Sequence, residues 1–135
     1  LAHAATYQGK QALRHILGQT ERPIRLDIVP SAVFTVPELA TVGLTEEECQ
    51  AQGIAYILRK ANYLSNGKAL AAGAAEGLVK QIYDAATGQL LGAHILGAHA
   101  ADLIHECTLQ LTTQTSAAAL ADMIHAHPTL SELLV

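Results

Sequence analysis

The run LLGAHIL, Leu90 to Leu96, is apolar at every position except His94. A stretch this short and this continuously apolar reads as a central strand covered on both faces, not as an edge strand with alternating polarity. Gly77 to Tyr83 precedes it as a second strand, and Thr87-Gly88 within Asp84–Gln89 supplies turn chemistry, so the two form a hairpin. A buried strand needs a covering layer. Ala100 to Thr113 reads as a helix with Leu103, Ile104, Cys107 and Leu111 on a common side. Ser116 is the N-cap of a shorter helix whose expected buried face is Ala119, Leu120, Met123 and Ile124. Antiparallel strands with helices on one side predict an α+β, two-layer domain, an antiparallel β-sheet packed on helices.

The remaining segments fit around that frame. Val33 to Thr35 and Ala40 to Gly43 read as short strands split by Pro37, which belongs at an edge, bulge or turn. Thr45 and Glu48 form a T-x-x-E capping box and Gly53 supplies a stop, so Thr45 to Gln52 is a short helix. Its acidic run, Glu46 to Glu48, is favourable charge at a helix N-terminus on a solvated face. Ile54 to Tyr63 is β-rich, with Ile54, Tyr56 and Leu58 alternating, and Asn66, Lys68 and Ala69 follow in a loop. At the start, Ala5, Ala12, Leu13, Ile16 and Leu17 share one helical face that Gly18 ends. Gln19 to Pro30 is polar and punctuated by Pro23 and Pro30, which makes it a connection and the best boundary in the chain.

Composition narrows the function classes. Half of the 135 residues are hydrophobic but only 4% are aromatic, so the core must be built from Ala, Leu, Ile and Val. Such small side chains allow close packing and suit an extensive subunit contact. The net charge is −4 with the eight basic residues scattered, which argues against a nucleic-acid or anionic-membrane surface. No apolar run approaches a membrane span and no signal peptide is visible. Cys49 and Cys107 fit no C-x-x-C or zinc spacing, so reduced thiols in a reducing, cytoplasmic compartment are expected. The first residue is Leu, not Met, and the chain reads as a piece of a longer protein.

The chemistry concentrates in HAHPTLSE, His125 to Glu132. Pro128 fixes its own φ and permits a cis bond, and Thr129 and Glu132 repeat the T-x-x-E box. The local expectation is an extended approach, a rigid corner and a short helix starting near Thr129. An imidazole at such a corner, with a carboxylate one turn into the helix, is oriented through one ring nitrogen and free for acid–base work through the other.

HAHPTLSE resembles the C-terminal signature of the pyridine nucleotide-disulphide oxidoreductases, in particular the dihydrolipoamide dehydrogenase branch. VFTVPELATVGLTEEE (Val33 to Glu48) and LLGAHILGAHAADLIHE (Leu90 to Glu106) resemble two further blocks of the same C-terminal domain, in the same order. LAHAATYQGKQA resembles the last helix of the preceding FAD domain. The likeness covers nearly the whole chain. It implies residues 1–22 as that helix plus linker and 23–135 as the dimerisation domain. It also implies FAD and NAD in the full-length enzyme, a homodimer, and a dithiol substrate such as dihydrolipoamide. Within it, His127 acts in the partner's active site as the proton acceptor from a thiol, oriented by Glu132, and His127 and Pro128 lie near the partner's flavin. The backbone of Leu1, Ala2 and His3 points N–H groups at the flavin pyrimidine ring, with the His3 side chain a bystander. The family commonly carries Arg where this chain has Lys68, and a lysine does not reproduce a guanidinium fork. No role is assigned to it.

Other chemistries are poorly served. Seven histidines invite a metal, and His125-x-His127 places two imidazoles close in sequence, but no H-E-x-x-H or cysteine pair completes a ligand set. His94 is expected to be a hydrogen-bonded core histidine. No G-x-S-x-G elbow exists for His127 to serve. There is no G-x-G-x-x-G and no redox cysteine pair, so the chain alone is expected to bind neither FAD nor NAD and to be inactive. The alternative from a different class is a non-catalytic dimerisation or scaffold module with a vestigial motif.

Overall fold

The structure is a computed structural model and describes residues 1–19 and 24–135. In chain order the elements are α1 (Ala2–Ile16), β1 (Ser31–Val33), β2 (Glu38–Gly43), α2 (Glu46–Ala51), β3 (Tyr56–Asn62), α3 (Gly67–Ala71), β4 (Gly77–Asp84), β5 (Leu90–Gly97), α4 (Ala100–Thr113) and α5 (Ala117–Ala121). Two 3₁₀ turns, Tyr63–Ser65 and Leu130–Leu134, complete the set. The five strands form one sheet in the order β1-β2-β5-β4-β3, every neighbouring pair antiparallel. The apolar run is therefore the middle strand, as its sequence requires.

One sheet face carries Ala40, Val42, Val79, Ala93 and Ile95, all 2% exposed or less, and packs against Ile104 and Cys107 of α4. That is the two-layer α+β arrangement. A bulge between Ile82 and Tyr83 leaves Leu91 without a partner on β4; its carbonyl instead accepts the Leu44 N–H at 2.9 Å. The extra residue turns Leu90 to the helix side, where it joins the core at 5% exposure.

The reverse face departs from expectation. Val33, Leu39, Leu96 and Leu78 stand side by side across four strands, each between 38% and 49% exposed, so β5 is not covered on both faces along its length. The neighbouring row, Ser31, Thr41, His94 and Lys80, is polar. Lys80 Nζ meets Glu46 Oε1 of α2 at 2.8 Å, which pins α2 to this side, whereas α4 lies on the other. The acidic run thus includes a tie to the sheet. The capping box forms as the spacing predicts: Thr45 Oγ1 accepts the Glu48 N–H at 3.1 Å and Glu48 Oε2 accepts the Thr45 N–H at 2.8 Å.

Tyr63 closes the other end of the sheet. Its ring is fully buried, its hydroxyl donates to the Ala98 carbonyl at 2.9 Å, and it lies against the cross-strand glycine pair Gly77 and Gly97. A Cβ at Gly97 would stand 2.5 Å from Tyr63 Cζ, so the contact exists only because both positions lack side chains.

Three local expectations change. Lys68 sits exposed in the helix α3, not in a loop, because Asn66 caps that helix by accepting the Ala69 N–H at 3.0 Å. Ser116 caps α5 as expected, but the helix stops at Ala121, leaving Met123 47% and Ile124 95% exposed. Finally, α1 turns Ala4, Tyr7 and Gln11 inward, while Leu13, Ile16 and Leu17 are 56%, 79% and 61% exposed. The expected boundary at residues 22 and 23 lies outside the described residues. Among those described, no helix is long and apolar enough to cross a membrane.

Candidate active site

The segment from His125 to Glu132 folds as a corner. The His127–Pro128 bond is cis, and a 3₁₀ turn rather than an α-helix starts at Leu130. Leu133 and Leu134 at its end are 3% and 1% exposed within the main core. Their carbonyls are engaged from the sheet: Arg59 Nη1 donates to Leu133 O at 3.0 Å and Gln81 Nε2 to Leu134 O at 3.2 Å. Arg59 also donates to Gln81 and to the Val135 carbonyl. Asn66 Nδ2, from the cap of α3, donates to Thr129 O at 3.0 Å. These far-apart residues hold what the local sequence could not hold by itself.

His127 and Glu132 are brought together. His127 Nδ1 lies 2.9 Å from Glu132 Oε1, and Glu132 Oε2 accepts the Thr129 N–H at 2.8 Å. The carboxylate therefore contacts the ring through one oxygen and satisfies the start of the turn through the other. Since a carboxylate only accepts, Nδ1 is the donor, and in the neutral ring Nε2 keeps its lone pair. The His127 side chain is 79% exposed, so Nε2 faces outward. The Thr129 backbone bond, and after it the imidazole, holds the Glu132 carboxyl below the usual carboxylate range. With the folded value depressed, the stability this contributes is present above the ordinary carboxylate pKa and lost as pH falls through the lowered one.

Elsewhere the expected residues stand apart. Leu1, Ala2 and His3 open α1, all exposed, and no side chain caps this terminus among the described residues. The His3 ring is engaged within the chain: Nε2 lies 2.7 Å from the Pro30 carbonyl, tying α1 to the approach of β1. His94 is half-buried with Nδ1 unpartnered among the described residues, contrary to the expected hydrogen-bonded histidine, and burial followed by the Lys80 charge pushes its pKa down. Cys49 and Cys107 are free and buried; burial pushes the Cys107 thiol up to about 12. Among the described residues no three His, Cys, Asp or Glu side chains converge to hold a metal ion. A groove of about 900 Å³ lies between α1 and α4, and its lining includes no residue of HAHPTLSE.

Residues 29–135 match the family described as pyridine nucleotide-disulphide oxidoreductase, dimerisation domain. The chain belongs to that family. Among curated relatives of this dimerisation domain, dihydrolipoyl dehydrogenase of Synechocystis sp. is 44% identical across 99% of the chain and 29% of its own length. Dihydrolipoyl dehydrogenase 2, chloroplastic, of Arabidopsis thaliana is 42% identical across 99% of the chain and 24% of its own length. The crystal structure of LpdA from Mycobacterium tuberculosis superposes with a TM-score of 0.93 at 30% identity, covering 99% of this chain and 29% of that one. The chain thus spans less than a third of the proteins it matches.

Proposed function

We propose that this chain is the C-terminal dimerisation domain of a flavin-dependent, dihydrolipoamide dehydrogenase-like oxidoreductase, working as a homodimer. In it His127 is the acid–base group and Glu132 its orienting partner. The observation that carries this reading is the combination of an Nδ1 bound to Glu132 at 2.9 Å with a ring 79% exposed. A histidine kept for packing would be buried. This one is held from behind and offers Nε2 outward, to a surface that a second subunit supplies.

Each residue then has a task. Nε2 takes the proton from one thiol of a dithiol such as dihydrolipoamide, and the resulting thiolate attacks a disulfide sulfur. One S–S bond forms as another breaks, and the proton returns from Nε2 on the reverse pass. The Glu132 carboxylate stabilises the imidazolium formed meanwhile. FAD and NAD, when bound in the full-length protein, carry the electrons. The backbone N–H groups of Leu1, Ala2 and His3 at the start of α1 would turn toward the flavin ring, as a helix N-terminus facing negative charge. His127 and Pro128, both exposed, would lie against the partner's flavin. Leu13, Ile16 and Leu17 of α1 suit burial within a preceding FAD domain, to which residues 1–22 would belong. A cytoplasmic setting is part of the same reading and fits two free thiols.

Glu132→Gln tests the orienting role. Glutamine has one acceptor oxygen and one NH₂, so it can serve the Thr129 N–H or the imidazole N–H but faces the other with a donor. We expect dithiol-dependent turnover of the full-length protein to drop clearly, though less than for loss of His127, with the melting temperature near that of the parent. Full lipoamide turnover together with a lowered melting point would reduce Glu132 to a cap.

A further inference from the structure

Because the His127 ring is exposed, packing does not aim it; its bond to Glu132 and the course of its backbone do. On the C-terminal side that backbone is tied by Asn66 to Thr129 O at 3.0 Å and by the buried Leu133 and Leu134. On the N-terminal side Met123 and Ile124 are 47% and 95% exposed and grip nothing comparable. Within the corner the Ala126 carbonyl accepts from Thr129 Oγ1 at 2.7 Å, and the tie to the body of the domain is His125, two residues before His127. Its side chain is 7% exposed, and Nε2 lies 2.7 Å from Glu106 Oε1. The carboxylate only accepts, so Nε2 donates; Nδ1 lies 3.3 Å from the Met123 carbonyl. Glu106 projects from α4, whose Leu103, Ile104 and Cys107 are embedded in the core. Only Ala126, His127 and Pro128 separate the two ties.

We propose that Glu106 and His125 are positioning residues, whose contact with α4 sets the direction in which His127 Nε2 faces. This rests on the reading of His127 as the proton acceptor. His125 is not a second base, since its ring is nearly buried and turned to Glu106.

The full-length protein provides the test. Glu106→Ala should lower kcat for the dithiol about ten- to a hundredfold, the scale of a misplacement near 1 Å. Flavin content and the NADH-to-dye reaction should be retained, because neither needs a thiol proton removed. Glu106→Gln, whose amide oxygen still accepts from Nε2, should recover most of the loss. In a His127→Gln background, Glu106→Ala should cost nothing more, since it acts only through that ring. If Glu106→Ala does not accumulate as flavin-loaded protein, His125→Ala breaks the same contact from the loop side and is read by the same ratio of reactions. A parallel loss of dithiol and dye turnover, an additive loss in the His127→Gln background, or no loss at all overturns the proposal. Should His127→Gln itself retain full dithiol turnover, the parent reading fails; should only Glu106→Ala retain it, the positioning role fails alone.

Discussion

Replacing His127 by glutamine in the full-length protein should cut dithiol-dependent turnover about a hundred- to ten-thousandfold, the usual worth of a general base. The change should be confined to that reaction. A ring 79% exposed supports no packing within its own chain, so the melting temperature should stay near that of the parent, and the similar volume of glutamine should keep the flavin and the dimer. Glutamine fills similar space and can still donate toward Glu132, but it cannot accept a proton. Electron flow from NADH to an artificial acceptor bypasses thiol deprotonation and should fall much less. Steady-state assays of both reactions on one preparation check this. Undiminished lipoamide turnover would remove His127 from the mechanism.

The largest loss of stability is expected at Tyr63, from which no chemistry is expected. Tyr63→Ala should cost about 3–5 kcal/mol, as truncations of large buried aromatic residues do. The ring is fully buried against Gly77 and Gly97, and glycines have no side chains with which to collapse into the void. Tyr63→Phe removes only the hydroxyl bond to Ala98 and should cost about 1 kcal/mol. Burial pushes the phenol up to about 12. With the folded value raised, this stabilisation is complete below the unfolded tyrosine value of about 10 and lost as pH rises from there through the folded one. Urea unfolding at pH 7 and again above pH 10 measures both parts. A Tyr63→Ala variant within 1 kcal/mol of the parent at pH 7 would mean the glycine pair is not what the ring supports.

Features written in short-range patterns were legible in the sequence. Helix α4 spans Ala100–Thr113 as its periodicity predicts, and the Thr45–Glu48 box forms bond for bond. The His127–Glu132 contact was also legible, since the two are five residues apart across a fixed proline. What escaped depends on distant partners. Glu106 meets His125 across 19 residues, Asn66 meets Thr129 across 63, and Arg59 meets Leu133 across 74. No local pattern marks such pairs. The side of the sheet taken by α2 is likewise fixed by Lys80, far along the chain, and the exposure of Met123 and Ile124 follows from a helix that stops one turn early. The hydrogen bond expected of His94 is missing at Nδ1, whose row faces α2 and the open side and which has no partner among the described residues.

The two leucines that follow Glu132 set how the corner comes apart. A segment docked only by polar contacts would fray, exposing its amides to solvent long before the sheet opens. Here, releasing the segment means withdrawing Leu133 and Leu134 from the core, at about 1.5–3 kcal/mol each. It also strands the Arg59 guanidinium and the buried Gln81 amide that their carbonyls satisfy. Hydrogen exchange in residues 130–134 should therefore be nearly as slow as in β5, and heat inactivation should track the melting of the domain rather than precede it.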